Sequence, residues 1–248
     1  MALGQSFGDL IQQAGLEVEK EDNNTGKEAG SNESSEKISK MVKNIGSIVE
    51  FKESKLFRRL NQEEKRSVVL ELIKRGRSLK WFPEYNDDKE IVLAAVNQYY
   101  NDLYYASDKL QKDKDIFMES LQTLGPSYLY DGTRIFDYTE FIEHIHNGEL
   151  IPENLRDDEE VMLQVCRVSS EQDVFKFASD RLKNNRNFML KALNILSDDI
   201  QGGGRYDLDD ALKYIPESLW KDHEFIEILA NYIDMKNIPK EYKVLSVK

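Results

Sequence analysis

The sequence predicts an all-α chain: an irregular α-solenoid of two-helix repeats, preceded by a disordered acidic linker and a short N-terminal amphipathic helix. Three observations predict it. A capped apolar motif returns five times, as Asp88-Lys-Glu-Ile-Val-Leu, Asp113-Lys-Asp-Ile-Phe-Met, Asp158-Glu-Glu-Val-Met-Leu, Asn185-Arg-Asn-Phe-Met-Leu and Asp222-His-Glu-Phe-Ile-Glu. Behind each cap, apolar residues recur at the third, fourth, seventh and eighth positions, one face of an amphipathic helix. A second pattern, upstream of each cap, returns in step with the first. A motif repeated at this scale marks stacked units that bury their faces on one another.

Residues 5–15 read as a short amphipathic helix. Ser6 is placed to cap it, with Asp9 three residues on. Phe7, Leu10, Ile11 and Ala14 share one face, and Gly15 ends it. A helix this short is marginal alone in water, so it has to dock, on its own body or on a partner. Residues 17–36 carry a net charge of −5, and Val18 is their only large apolar residue. Such a segment cannot bury enough surface to fold. The expected organisation is a linear motif over 1–16, an acidic flexible linker over 17–39 and a helical-repeat domain over 40–248.

The body opens near Lys40. Met41, Ile45, Ile48, Val49 and Phe51 predict one helix. Asn61 then supplies an N-cap with Glu64 at the third position, and Val68, Val69, Leu72 and Ile73 form the stripe of the helix that follows. In the five repeats the stripe is Ile91/Val92/Ala95/Val96, Ile116/Phe117/Ser120/Leu121, Val161/Met162/Val165/Cys166, Phe188/Met189/Ala192/Leu193 and Phe225/Ile226/Leu229/Ala230. Glu90, Asp115, Glu160 and Glu224 stand in the first turns, where the helix dipole favours negative charge. Upstream, Leu110, Leu155, Leu182 and Leu219 lie three residues before the cap, and Ala106, Ile151, Ala178 and Ile215 seven before it. Ser107-Asp108, Pro152-Glu153, Ser179-Asp180 and Pro216-Glu217 between them are helix-start chemistry. Leu79 to Tyr85 fits the same plan with one residue missing. The cap-to-cap spacings are 25, 45, 27 and 37 residues, so two repeats carry insertions. The first insertion predicts its own helix, capped by Asp137 with Glu140, stapled by Phe136 and Phe141, and ended by Asn147-Gly148. The second, Ser197 to Asp207, holds Gly202-Gly203-Gly204 and predicts a mobile loop.

The segments Leu103-Tyr-Tyr-Ala-Ser-Asp-Lys-Leu110, with Asp88-Lys-Glu-Ile-Val-Leu-Ala-Ala-Val96, and Val174-Phe-Lys-Phe-Ala-Ser-Asp-Arg-Leu182, with Asn185-Arg-Asn-Phe-Met-Leu-Lys-Ala-Leu193, carry a resemblance. The pattern is similar to Ala-Leu-x-Tyr-Ala-Ser-x-x-Leu-x-x-Asp-x-Glu-Phe-Val-Leu-x-Ala-Val, that of a family of short bacterial, protist and large-virus helical repeats of unknown function. The resemblance runs in pieces over residues 60–235 and departs in both insertions and at Glu227, where the family has an apolar residue. It implies a fold and a tandem arrangement, and no reaction.

Composition narrows the function. The net charge of −12 argues against a nucleic-acid coat or an anionic membrane surface as the main partner. A single cysteine rules out an internal disulfide, and the N-terminus lacks a secretory signal pattern, so a cytoplasmic protein is expected. His144 and His146 stand two apart, a spacing that does not converge on a metal ion from a helix. Cys166 aligns with core positions and reads as a small hydrophobe. Gly202-Gly203-Gly204-Arg205 lacks the lysine and hydroxyl of a phosphate loop. No cofactor, metal or small-molecule substrate is expected, and no catalytic constellation is present to make an enzyme.

Two features point to binding. Residues 52–80 carry net +6, which leaves −18 for the rest. Tyr104 takes an outward position where other repeats have Lys80, Glu149, Lys176 and Lys213, with Tyr99 and Tyr100 near it in sequence. The expected function is a non-enzymatic protein-interaction module, a scaffold, adaptor or regulator that binds a protein partner. Phe7, Leu10 and Ile11 are the anchors expected on the tethered helix. Arg58, Arg59, Lys74, Arg75, Arg77, Tyr99, Tyr100 and Tyr104 are those expected on the repeat surface. The alternative is nucleic-acid binding through the basic segment 52–80.

Overall fold

The computed structural model describes residues 38, 42, 45, 47–124, 143–145, 148–169, 174–198, 209–230 and 238–242. Among these every regular element is helical. The expected N-terminal helix, the acidic linker apart from Ile38, which is helical and half-buried against the core, the start of the helix in the first insertion and the triglycine segment lie outside the described residues.

Where one helix was expected before residue 52, the chain does otherwise. Ile45 is not helical, and Ser47 starts α1 (Ile48–Glu53) by accepting a bond from the Glu50 amide. Val49 is exposed rather than part of the stripe. Ser54 then caps α2 (Lys55–Arg59), whose Phe57 packs on Phe51 with ring centroids 5.1 Å apart. The helix α3 (Gln62–Lys74) begins with the predicted capping box: Asn61 accepts from the Glu64 amide at 3.0 Å and Glu64 from the Asn61 amide at 2.8 Å.

Five units follow. Each ends in a long amphipathic helix: α4 (Lys89–Gln98) in the first unit, then α6 (Lys114–Leu124), α7 (Glu159–Val168), α9 (Arg186–Asp198) and α12 (His223–Leu229). Asp88, Asp158 and Asp222 cap three of them, each accepting from the amide three residues on. Asp113 and Asn185 accept from the Ile116 and Phe188 amides in the same way. All predicted stripe residues of these helices are buried except Ala230, which is half-buried. All eight upstream apolar residues are buried too.

The first half of each unit differs from the two-helix expectation. It is an entry turn followed by a single short turn of helix. In the first unit these are 3-10 turns at Leu79–Trp81 and Pro83–Tyr85. The second unit has a 3-10 stretch at Tyr100–Tyr105 and α5 (Asp108–Gln111), and the third has a turn at Glu153–Leu155. The fourth has Val174–Phe177 and α8 (Asp180–Lys183); the fifth has α10 (Asp209–Leu212) and α11 (Glu217–Trp220). Ser107 and Ser179 cap their short helices, and Pro152 and Pro216 hold the same cap position, so the helix-start chemistry falls where expected. With only five residues between that start and the next cap, one turn is all that fits. The helix α9 also runs two residues into the expected second insertion, through Ser197 and Asp198.

The long helices stack in chain order. Starting from α3, each of α4, α6, α7, α9 and α12 packs on the one before it. The entry turns form a second, parallel spine: Tyr100–Tyr105 touches both α4 and α6, and Val174–Phe177 packs on α7. Phe82, Phe117, Phe175, Phe188 and Phe225 fill the space between the two spines. Burying one such side chain contributes roughly 1.5–3 kcal/mol, so the fold rests on this shared core.

Candidate protein-interaction surface

The units are joined by a polar seam that fixes how each sits on the last. At the first position of α4, α6 and α9 stands a cation that reaches the next unit's cap. Lys89 bonds Asp113 and Asp115, both at 2.8 Å. Lys114 bonds Asp158 at 2.8 Å and Glu160 at 2.9 Å. Arg186 approaches Asp222 at 3.4 Å and Glu224 at 2.5 Å. Arg66 of α3 makes the same fork onto Asp88 and Glu90, at 2.6 and 2.7 Å. One junction is inverted. Where the receiving cap pair is Asn185 and Asn187, the residue before it in the series is Glu159, and it pairs with Lys191 at 2.8 Å.

The charges respond accordingly. The bond from Arg66 holds the Asp88 carboxyl below the usual range. Partial burial works to raise Asp113 and Asp158, but the Lys89 and Lys114 ammonium groups and the helix amides outweigh it and hold both low. The first-turn carboxylates thus do more than answer their own helix dipole. Exposed pairs of this kind add little stability one by one, so their part is register.

A second set of bonds ties the short helices back. The Ser107 amide donates to the Asn86 carbonyl and the Ser179 amide to the Arg156 carbonyl, both at 2.8 Å. Their hydroxyls donate to Asp87 and Asp157. Asn154 donates to the Lys112 carbonyl, and the Ser218 hydroxyl to Asn184, at the remaining two junctions.

The entry-turn spine carries the exposed aromatic residues. Trp81, Tyr105, Leu150, Phe177 and Tyr214 all stand at one register, eight residues before the cap, or seven in the first unit with its missing residue. Trp81 is 46% exposed, Tyr105 39% and Tyr214 37%; Leu150 and Phe177 are half-buried. The preceding position holds Lys80, Tyr104, Glu149, Lys176 and Lys213. Residues flanking the row link one unit to the next. The Lys176 ammonium lies 5.0 Å from the Phe177 ring centre and 5.9 Å from that of Tyr214. Tyr104 packs edge-on against His144 at 6.0 Å, and the His144 ring nitrogen is 2.6 Å from Glu149. Phe177 lies against Gly148, whose φ of +73° and absent side chain both suit the contact. At the first junction, buried Asp102 accepts from the Ser78 hydroxyl at 2.6 Å and the Leu79 amide at 2.8 Å, while burial pushes its carboxyl up.

Of the residues expected to bind, Phe7, Leu10 and Ile11 lie outside the described residues. Tyr104 is 39% exposed in the row next to Tyr105. Tyr99 is exposed with its hydroxyl against Gly76, and Tyr100 is half-buried against the core. The basic residues do not converge. Arg58 and Arg59 sit on α2 at the start of α3, Lys74 and Arg75 at its end, about 20 Å away by helix rise. Arg75 pairs with Glu71 and Arg77 donates to the Ile45 carbonyl at 2.9 Å, so both serve the fold. Arg58, Arg59 and Lys74 make no ion pair with another described residue.

Cys166 is buried and burial pushes its thiol up to about 12, the behaviour of a core residue. His146 lies outside the described residues. A groove of about 850 Å³ opens between Lys109, Lys112 and Asp113 on one side and Glu149, Glu153 and Arg156 on the other, with charges of both signs on its walls. No described helix is long and apolar enough to cross a membrane.

A family described as Domain of unknown function (DUF4116) matches residues 88–130 and 158–198, about a third of the chain. Each matched segment begins at a cap aspartate and takes in two successive long helices with the entry turn and short helix between them. The match is narrower than the resemblance over 60–235: α3 and the fifth unit lie outside it. No curated protein and no solved structure matches the chain.

Proposed function

We propose that the chain is a non-enzymatic protein-interaction module, a scaffold, adaptor or regulator that grips an extended partner segment along the entry-turn spine. The observation that carries this is the row Trp81, Tyr105, Leu150, Phe177 and Tyr214. A folded core has no need to leave a large apolar residue half in water at one register of five successive units. Spaced aromatic residues with an apolar body and a polar edge are what binding surfaces use for anchors. The tethered N-terminal segment, with Phe7, Leu10 and Ile11, belongs to the same reading as a second apolar contact. The setting proposed is cytoplasmic, with no cofactor and no small-molecule substrate.

The test is a tagged pull-down from the native host with the full chain and with Trp81→Ala/Tyr105→Ala/Tyr214→Ala. A specific protein retained by the first and lost by the second supports the reading. An identical partner list from both sinks it.

A second reading, nucleic-acid binding, draws on Lys55, Arg58 and Arg59, three exposed cations on α2 without an ion-pair partner among the described residues. Phosphate binding of that kind weakens steeply with salt, whereas aromatic anchoring does not. Charge reversal at Arg58, Arg59 and Lys74 separates the two.

A further inference from the structure

We infer that the partner segment is an acidic, proline-rich stretch in the polyproline II conformation, with one proline set on each anchor of the row. This rests on the proposed binding role of the row and adds the chemistry of what it takes.

Three facts lead to this occupant. The first is spacing. Described contacts carry the row from each unit to the next. Leu79–Trp81 packs on Tyr100–Tyr105. Tyr104 packs on His144, whose partner Glu149 stands next to Leu150. Phe177 lies against Gly148, two residues before Leu150. A single ammonium, that of Lys176, reaches the rings of both Phe177 and Tyr214, at 5.0 and 5.9 Å. Packed helices stand about 8–10 Å apart, and the anchors step along the stack with them. A polyproline II helix advances about 9.3 Å per turn of three residues, so every third side chain meets the next anchor. A β-strand repeats on one face at about 6.6 Å and falls out of step. An α-helix keeps step only through every seventh residue, at about 10.5 Å, and needs roughly thirty residues for five anchors.

The second is the kind of anchor. Trp81, Tyr105 and Tyr214 each combine a flat apolar face with an N–H or O–H at the edge. A polyproline II chain makes no internal hydrogen bonds, so its carbonyls are open to such donors. Its prolines dock on aromatic surfaces, and its preformed shape loses little entropy on binding. That suits shallow anchors left half in water.

The third is charge. In the column beside the row, Lys80, Lys176 and Lys213 outnumber Glu149, which is engaged by His144. The Arg156 guanidinium adds a further cation, 5.7 Å from the Phe177 ring centre. A chain of net −12 thus lines this row with positive charge. Carboxylates placed between the prolines complement it, and cations there would be repelled.

The experiment uses the full chain and its own fluorescence. The chain holds two tryptophans: Trp81 is 46% exposed in the row and Trp220 is buried in the fifth unit. The probe is a synthetic peptide of five Pro-Pro-Glu repeats, one turn for each anchor. Its titration is expected to shift the emission to shorter wavelength and to saturate. Five Pro-Pro-Lys repeats, and five Gly-Ser-Glu repeats of the same length and charge as the probe, are each expected to bind at least tenfold more weakly. Tyr105→Ala/Tyr214→Ala, which keeps Trp81 as reporter and is checked for folding by circular dichroism, is expected to weaken the probe at least tenfold. No saturable shift with the Pro-Pro-Glu peptide overturns the inference. Equal binding by the lysine peptide overturns the charge complement, and equal binding by the glycine-serine peptide overturns the conformation. These arms need no variant, so they decide the matter even if the double substitution unfolds the chain. The binding role of the row stands or falls separately, on whether Trp81→Ala/Tyr105→Ala/Tyr214→Ala loses a partner.

Discussion

Gly148→Ala tests how the entry turns stack, because two separate costs meet at that residue. Its φ of +73° is a conformation that an alanine adopts at a cost of about 1–2 kcal/mol. A Cβ placed there would lie 2.4 Å from the Phe177 Cε1 atom, and 2.6 and 2.7 Å from two more ring carbons. Overpacking of that kind costs about 1–3 kcal/mol. The ring has little room to retreat, since the Arg156 guanidinium sits 5.7 Å from its centre and also donates to the Gly148 carbonyl at 3.0 Å. The expected total is about 2–5 kcal/mol. Gly76→Ala is the internal comparison. Its φ is +81°, but the nearest atom is the Tyr99 hydroxyl at 3.1 Å, the free end of a side chain that can swing. There the strain of about 1–2 kcal/mol stands alone. Phe177→Ala combined with Gly148→Ala removes the clash and keeps the strain, so the double variant should be more stable than the sum of the singles by about 1–3 kcal/mol. Urea denaturation followed by circular dichroism measures all four chains. Additive costs, or a Gly148→Ala cost no greater than that of Gly76→Ala, would refute the packing of the fourth unit on the third described above.

Four further outcomes are expected. Asn61→Ala, which loses one side of the capping box on α3, should cost about 1 kcal/mol in urea denaturation, and Asn61→Asp almost nothing. Asp158→Ala should cost a similar amount at neutral pH. Its folded-state carboxyl is held low, so the stability it adds is present above the unfolded value and is lost as pH falls through the folded one; the gap from wild type should close in acid. Asp102 has the opposite sign: burial raises its folded-state value, so wild type should gain on Asp102→Asn as pH falls from neutral toward 4, and a gap moving the other way would contradict its buried, cation-free setting. Glu159→Lys sets two lysines side by side at the fourth unit and should lower stability by up to about 1 kcal/mol, with Lys191→Glu restoring it in the double exchange.

The sequence alone made the long helices legible, and the reason is physical. A buried stripe repeats every 3.6 residues, and a cap side chain must stand just before it, so Asp88 or Asp158 with its apolar run announces a helix without reference to anything distant. What lay between units was not legible in the same way. Asp115 or Glu160 in a first turn is explained locally by the helix dipole, yet its ammonium partner stands more than twenty residues earlier. The signal was present in Lys89, Lys114 and Arg186, each directly after a cap, and most clearly in Glu159, the one acid in that place, set against amides instead of carboxylates. The segment before α1 misled because Met41, Ile45 and Ile48 have helical spacing, while a single hydroxyl, Ser47, starts the helix anew. For the candidate surface, Tyr104 drew notice because it departs from its column. The informative column was the next one, Trp81 to Tyr214, where nothing departs and every unit keeps a large apolar residue. Apolar residues in a repeat are read as core by default. Only the packing of the entry turns reveals that this column faces outward.

The fold is a stack in which each unit leans on its neighbours and on little else. Hydrogen exchange measured on Phe225→Ala tests it most directly. Phe225 is fully buried in α12, and such a truncation costs about 3–5 kcal/mol. In a stack, the loss of protection is concentrated in α11 and α12, reaches the facing side of α9, and leaves α3 and α4 as slow as in the parent. Loss of protection spread evenly from α3 to α12 would contradict the claim, since it would mean one cooperative core instead of a row of units.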